Sequence, residues 1–318
     1  MTKTVDPVIR AVLKTDRLSE ETRTGYSKRL ALIAAAAGNN PLIPVLAQHP
    51  QNVLGWILKN YHEIGTQRTM IVAILGAYKI LNLKMKEKGS YEMYLKEYEK
   101  LDGVLRDRAK DNVPTDRQRA GFVSYPELQR VRNRLPVGSK ERLLLSCYGG
   151  CIPPLRNDLH ACAIRKLECD NESARQALLQ QITPNEILLP YDRNAPGVLI
   201  LREFPKLYSR SLGDKLTTEL RASLKDHPRE FLFVESRSGR PYTHSGFAMW
   251  ARRTLQSLFG KPSTLTLLRH GYISHMLAFG QLSIRDREQL AKEMCHSPTT
   301  QMQYQWIAKE PDAKNVDI

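Results

Sequence analysis

The chain has 318 residues, enough for two domains of ordinary size, each with its own core. Hydrophobic residues at 42% and charged residues at 25% exclude a disordered or fibrous chain. The 48 Lys+Arg against 33 Asp+Glu leave +15, an excess that favours a polyanionic partner, nucleic acid ahead of a membrane surface. No apolar run approaches the roughly 18 residues a bilayer span needs, and the opening MTKTVDPVIRAVLKTDRLSEE has no signal-peptide core, so an intracellular protein is expected. The five cysteines are odd in number and form no CxxC pair. They read as reduced thiols, and Cys147 and Cys151 with His160 lack the paired spacing of a metal site, so no metal is expected.

Taken in order, the first strong signal is Ser19 as an N-cap with Glu20 and Glu21 in the first turn, opening a helix that Gly38 stops. A second helix follows Pro50 and places Val53, Leu54, Ile57, Leu58 and Tyr61 on one face. A third runs from Thr66 to about Lys86 with Ile71, Ile74, Leu75 and Tyr78 at helical spacing, and a fourth from Ser90 to about Arg108. These four or so helices make an all-helical domain over 1–108. The pattern then fades into a charged stretch with Pro and Gly, RDRAKDNVPTDRQRAGF, and 109–122 reads as a linker.

The second domain, 123–308, is mixed. Helices near 124–135 and 139–149 end at the double proline of CIPPLRND, and a strand near 160–167 follows. NEILLPYD and VLILREF are short β-rich runs on either side of Asn194, Pro196 and Gly197, which suggests a hairpin-like sheet edge. After Gly213 come a helix to about Lys225, a strand EFLFVE, and a helix capped by Thr243 or Ser245 and ending at Gly260. The last helices lie near 264–280, 285–294 and 298–308, with Ser283 and Asp286 at capping-box distance. Residues 309–318 form a tail.

One ordered set of residues carries chemistry: Arg156 in PPLRND, Lys206 in REFPKLYSR, Arg269 in LLRHGYISH, His296 in MCHS, and Tyr304. Cutting and rejoining a phosphodiester without an energy cofactor needs a nucleophile that conserves the bond as an ester, and a tyrosine hydroxyl does this. The crowded anionic transition state needs fixed positive charge, for which forked arginine donors suit better than lysine. A lysine can instead give a proton to the departing 5′ oxygen.

In this order and these contexts the chain resembles the tyrosine recombinases, the integrase family whose signature is Arg, a Lys in a β-hairpin, His-x-x-Arg, His or Trp, and Tyr. PPLRND and LLRHGYISH look like the recombinases of mobile elements and large DNA viruses of eukaryotes. The resemblance implies a mainly α fold with a small β-sheet, arranged as a two-domain C-shaped DNA clamp: a helical core-binding domain and a mixed α/β catalytic domain. It implies that Arg156 and Arg269 bind the non-bridging oxygens, that His296 hydrogen-bonds the same phosphate, that Lys206 is the general acid and that Tyr304 is the nucleophile. No cofactor is implied. The expected partner is double-stranded DNA, held by four protomers on two duplexes, in the nucleus or wherever the target DNA resides. The segment after Trp306 is a candidate for docking on a neighbouring protomer.

Three features depart from the family. Thr266 stands where His or Lys is usual, and a hydroxyl is a poor proton shuttle. Asp158 is two residues after the first arginine, where the family has Glu three on, and His296 precedes Tyr304 by eight residues, one fewer than the common spacing. Away from this set, Gln67, Arg68 and Lys79 on the third helix, and Arg252 and Arg253 beside Trp250, are candidate phosphate contacts. Two other readings stand beside recombination or integration: a type IB topoisomerase, which shares the chemistry, and a DNA-binding protein with a degenerate site, which Thr266 keeps open.

Overall fold

The structure is a computed structural model that describes residues 5–167, 173, 185–192, 194–203, 206–280 and 282–306, with only the backbone at 201–203, 206–208 and 279. The chain divides into two compact units, Met1–Asp111 and Asn112–Ile318.

The first unit holds six described helices: α1 (Pro7–Lys14), α2 (Glu20–Ala36), α3 (Leu42–Gln48), α4 (Pro50–Asn60), α5 (Ile64–Ile80) and α6 (Lys88–Lys110). Two of them, α1 and α3, go beyond the four read from periodicity. Both are short, and α3 carries Pro44 in its first turn, where the missing N–H breaks no intrahelical bond. Asp6 links the two, accepting from Val8 N at 2.8 Å and from Leu42 N at 3.0 Å. Ser19 caps α2 as expected, through Thr22 N. α5 ends at Ile80, short of Lys86, where Asn82 takes a left-handed φ of 53°. The core sets Leu30, Ile33, Ile57, Ile71 and Ile74 around Tyr78 and Tyr94, whose hydroxyls both donate to the Leu46 carbonyl at the end of α3. Two tyrosines thus satisfy the carbonyl end of a helix too short to stand alone.

The second unit opens with α7 (Asp116–Ala120), so the stretch expected as a linker contains a helical turn, closed by a Thr115–Gln118 capping box. It continues with α8 (Tyr125–Arg134) and α9 (Lys140–Leu145). The run expected to stay helical to 149 widens into a π-type turn at Ser146–Gly150, with Gly149 at φ 112°. That turn redirects the chain into Pro153 and Pro154. The four strands β1 (Ala163–Lys166), β2 (Glu186–Leu189), β3 (Val198–Glu203) and β4 (Lys206–Ser211) form one sheet in that order. β1 and β2 are parallel, and β2–β3 and β3–β4 are antiparallel. The unit ends with α10 (Gly213–Asp226), α11 (His244–Phe259), α12 (Leu265–Phe279), α13 (Ile284–Glu293) and α14 (Pro298–Tyr304).

One expected strand is absent. EFLFVE makes only isolated bridges, Phe231 with Ala163 and Val234 with Pro241. Its backbone bonds to the segment at β1, from Ile164 N to the Glu230 carbonyl at 2.7 Å and from Leu232 N to the Cys162 carbonyl at 2.8 Å, flank a single bridged pair and do not extend into a ladder. The main core of this unit joins Leu144, Leu155, Leu189, Leu220, Phe247 and Leu268, and a smaller cluster gathers Tyr272, Ile273, Leu290 and Met294. No helix among the described residues is long and apolar enough to cross a membrane.

Inside the main core lies a polar knot. Arg132 is fully buried on α8 and bonds Glu219 of α10, which also accepts from Arg142 Nε at 3.1 Å and from the Ser146 hydroxyl. Arg132 also donates to Cys151 Sγ at 3.0 Å, so that thiol is engaged in the knot. Removing the carboxylate leaves a buried guanidinium uncompensated, so Glu219→Ala is expected to cost about 3–5 kcal/mol. Lys88→Ala, which breaks an exposed pair with Glu92 at 3.8 Å, is expected to cost under about 1 kcal/mol. Denaturant unfolding midpoints of the two variants check both values.

Candidate functional site

The site is built on α12. Thr264 caps the helix through Leu267 N at 3.3 Å, and Leu265, Leu268 and Ile273 are buried, which seats the helix in the unit's interior. Arg269 is carried inward with them and is 1% exposed. Its Nη1 donates to the Pro154 carbonyl at 2.7 Å, and both terminal nitrogens reach the Met294 carbonyl at 3.4 Å. Its Nη2 lies 2.8 Å from His296 Nδ1. Arginine only donates, so His296 Nδ1 is the acceptor and the neutral ring carries its proton on Nε2. Arg269 Nε and His296 Nε2 are both buried without a hydrogen-bond partner among the described residues.

Tyr304, the last residue of α14, lies against this pair. The Arg269 guanidinium sits 5.1 Å over its ring, and the His296 ring is stacked on it at 5.7 Å and 19°. Arg156 completes the group electrostatically. It is exposed on the loop after Pro154, where its own N–H donates to Asp158 Oδ2 at 3.1 Å. Asp158 therefore shapes the loop backbone. Burial lowers the Arg269 pKa, Tyr304 and Asp158 oppose that shift, and the charge of Arg156 adds to it. Burial, with the charges of Arg269 and Arg156, brings His296 down to about 4. Arg269, His296 and Tyr304 thus meet at one place, with the charge of Arg156 acting on the first two.

A second arginine, not singled out from the sequence, supports the same junction. Arg210 of β4 is 8% exposed and donates to the Pro153 carbonyl at 3.2 Å and the Glu293 carbonyl at 2.8 Å. Nothing in the sequence marks it, since one arginine on a short strand has no pattern. His270, the residue after Arg269, is buried beside the same group. It packs against Trp306 at 4.0 Å and Tyr304 at 4.7 Å, and it also bonds the Tyr304 carbonyl at 2.9 Å.

The remaining candidates are placed as follows. Lys206 opens β4, opposite Glu203, and its side chain lies outside the described residues. Thr266 is exposed on α12, one turn before Arg269. In the other unit Gln67 is turned inward at 9% exposure, its amide donating to the Tyr61 carbonyl at 2.6 Å, so it does not present that amide to a ligand. Arg68 is committed to Asp102 at 2.7 Å and Tyr98 at 3.3 Å, while Lys79 is exposed. On α11, Arg252 and Arg253 are exposed, whereas Trp250 packs inward, stacked on Tyr242 at 5.3 Å. The tail 309–318 lies outside the described residues. Among the described residues no group of three or more His, Cys, Asp or Glu is placed to hold a metal ion.

The two buried histidines give the apoprotein a pH signature. His270 and His296 both lie near 4, against an ordinary 6.5, chiefly because burial disfavours the charged ring. The unfolded chain then binds more protons than the folded one between those values, so stability is full above about 6.5 and is lost as pH falls toward 4. The thermal midpoint is expected to drop over that range, and His296→Gln is expected to flatten the drop, as thermal scans from pH 7.5 to 4.5 will show.

No protein-family model matches the sequence, and no curated protein matches it. Among solved structures the chain is similar to one described as the crystal structure of XerA recombinase, at a TM-score of 0.41 and 14% identity, over 95% of this chain and 94% of that one. A likeness that weak says nothing about activity.

Proposed function

We propose that this chain is a DNA strand transferase of the tyrosine-recombinase kind, cleaving and rejoining DNA in site-specific recombination or integration. The observation that carries the proposal is the meeting of Arg269 and His296 at Tyr304, with the charge of Arg156 acting on both, and with two buried N–H groups, Arg269 Nε and His296 Nε2, that have no hydrogen-bond partner among the described residues. Buried donors are normally satisfied, so an unpaired pair beside a phenol marks a place for an anion with several acceptor oxygens. A backbone phosphate meets that description, and the net charge of +15 favours DNA as its carrier.

In the proposed reaction the Tyr304 oxygen attacks the phosphorus, its proton passes to solvent or a nearby base, and the bond to the 5′ oxygen breaks. The product is a 3′-phosphotyrosyl ester and a free 5′-hydroxyl, whose attack in reverse rejoins the strand. Arg156 and Arg269 neutralise the non-bridging oxygens, and His296 donates Nε2–H to the same phosphate. Lys206 protonates the 5′ oxygen. Lys79, Arg252 and Arg253 contact phosphates away from the scissile one. Assembly as four protomers on two duplexes, closure of the two units on DNA as a clamp, and an origin among mobile elements or DNA viruses belong to the same proposal. They rest on the motif resemblance.

One observation favours a second reading. Thr266 is exposed at the usual His/Lys position, and a chain that binds DNA at a degenerate site would tolerate a hydroxyl there. A nicked suicide substrate decides between them. The parent chain is expected to form a covalent protein–DNA adduct and Tyr304→Phe none. Arg156→Ala and Arg269→Ala should each lower adduct formation about 100- to 1,000-fold while keeping salt-sensitive DNA binding. A parent chain that binds DNA and forms no adduct supports the degenerate site. Efficient relaxation of plasmid with no specific site supports a topoisomerase.

A further inference from the structure

Tyr304 ends α14, so the residue proposed as nucleophile sits where a seven-residue helix stops and the chain turns extended at Gln305, φ −73° and ψ 112°. A helix end of that length frays unless something outside it fixes the backbone. Here α12 supplies the fixation. His270 Nδ1 lies 2.9 Å from the Tyr304 carbonyl oxygen, and since a carbonyl only accepts, the ring donates from Nδ1. One helical turn further on, Ser274 Oγ accepts from Trp306 N at 2.9 Å. The two contacts are four residues apart on one helix and two apart on an extended segment, a spacing at which both rungs fit side by side.

The ladder is covered on one side by indole. Trp306 stacks on His270 at 4.0 Å and 20°, and its other neighbour is Phe122 at 5.3 Å. His270 is 7% exposed and its pKa is held near 4, so near neutrality the ring keeps the uncharged donor form that the carbonyl needs. The adjacent residue on α12, Arg269, lies over the Tyr304 ring. The same helix therefore fixes the tyrosine backbone and carries a group for the phosphate.

We infer that His270, with Ser274 as its second rung, is a positioning residue that sets the Tyr304 backbone, and so the attack line of the hydroxyl, without touching the DNA. The inference rests on the proposed strand transfer. A misplaced nucleophile loses rate steeply because in-line geometry is a large part of the barrier, whereas DNA affinity, set by phosphate contacts elsewhere, does not change.

The test uses the full chain and a nicked suicide duplex, measuring single-turnover adduct formation at saturating protein and, in parallel, the dissociation constant for the same duplex. His270→Phe keeps a flat ring against Trp306 and removes the donor. His270→Asn restores a donor near the Nδ1 position. Ser274→Ala removes only the second rung and leaves an ordinary helix residue. Expected are a loss of at least tenfold in rate for His270→Phe, recovery to within about threefold for His270→Asn, and a several-fold loss for Ser274→Ala, all at unchanged affinity. Parental rates in both His270→Phe and Ser274→Ala overturn the inference, as does a parallel fall in affinity and rate, or an Asn variant no better than Phe. If Tyr304→Phe itself forms the adduct at the parental rate, the strand-transfer reading fails and takes this inference with it.

Discussion

Two buried guanidinium groups hold the second unit's functional region together. Arg210 reaches the carbonyls of Pro153 and Glu293, and Arg269 reaches those of Pro154 and Met294. Each arginine bridges the same two segments one residue along, so the loop that carries Arg156 and the turn that carries His296 are stapled to one another. Proline makes this possible. It has no N–H to draw its neighbourhood into a helix or ladder, and its carbonyl stays available to a side-chain donor. Carbonyl dipoles compensate only part of a buried positive charge, which is why burial outweighs the other influences on Arg269 and lowers its pKa. An anion entering beside Arg269 Nε meets a charge that the protein has left partly unanswered. Two buried atoms without a hydrogen-bond partner among the described residues, Arg269 Nε and His296 Nε2, belong to side chains in contact, and tolerated costs of this kind cluster where ligands bind.

The staple has a second consequence, through α12. Gly271 follows Arg269 and His270, and a Cβ there would lie 2.1 Å from the Val123 carbonyl oxygen, a backbone atom that cannot step aside. Its absence lets α12 press against the segment that leads into α8. Tyr272 and Ile273 then bury in the cluster with Leu290 and Met294, and Tyr304 packs on the edge of the same cluster. Position 269 therefore faces His296 and Tyr304, 270 the Tyr304 backbone, 271 the neighbouring segment and 272–273 the core. Groups carried on a helix packed this closely are placed more firmly than groups on loops.

Much of this was legible in the chain and some was not, for identifiable reasons. The caps at Ser19, Thr243 and Ser283 are local chemistry, and the structure has each of them at work. Helix α3 escaped because Pro44 within a seven-residue run reads as a break, and EFLFVE misled because apolar composition does not say how many of its residues find a partner strand. Gln67 shared a helix with Lys79, yet its position on the inward side and its bond to the Tyr61 carbonyl follow from packing that no spacing reveals. The ordered set from Arg156 to Tyr304 was readable as residue types. That His270 holds a carbonyl 34 positions away, or that Arg210 reaches Glu293 across 83, is tertiary geometry with no signature in either segment.

The hydrogen-bond directions at the site also narrow the source of a proton in the proposed reaction. His296 Nδ1 accepts from Arg269 and so cannot also hold a proton while that bond stands. The ring is then neutral, and a neutral imidazole donates a hydrogen bond from Nε2 but does not surrender that proton near neutral pH. Thr266 is an exposed alcohol in the first turn of α12, with the same limit. Arginine is excluded by its basicity, even with its pKa lowered, because the leaving alkoxide requires a donor that regains its proton readily. His296 and Arg269 therefore serve as fixed donors to charge on the phosphorus oxygens. The motif resemblance gives that proton to Lys206 in the proposed reaction, and Lys206 opens β4, the strand that four residues later supplies Arg210 to the staple. The proposed acid and the arginine that closes the staple are thus carried on one strand, β4.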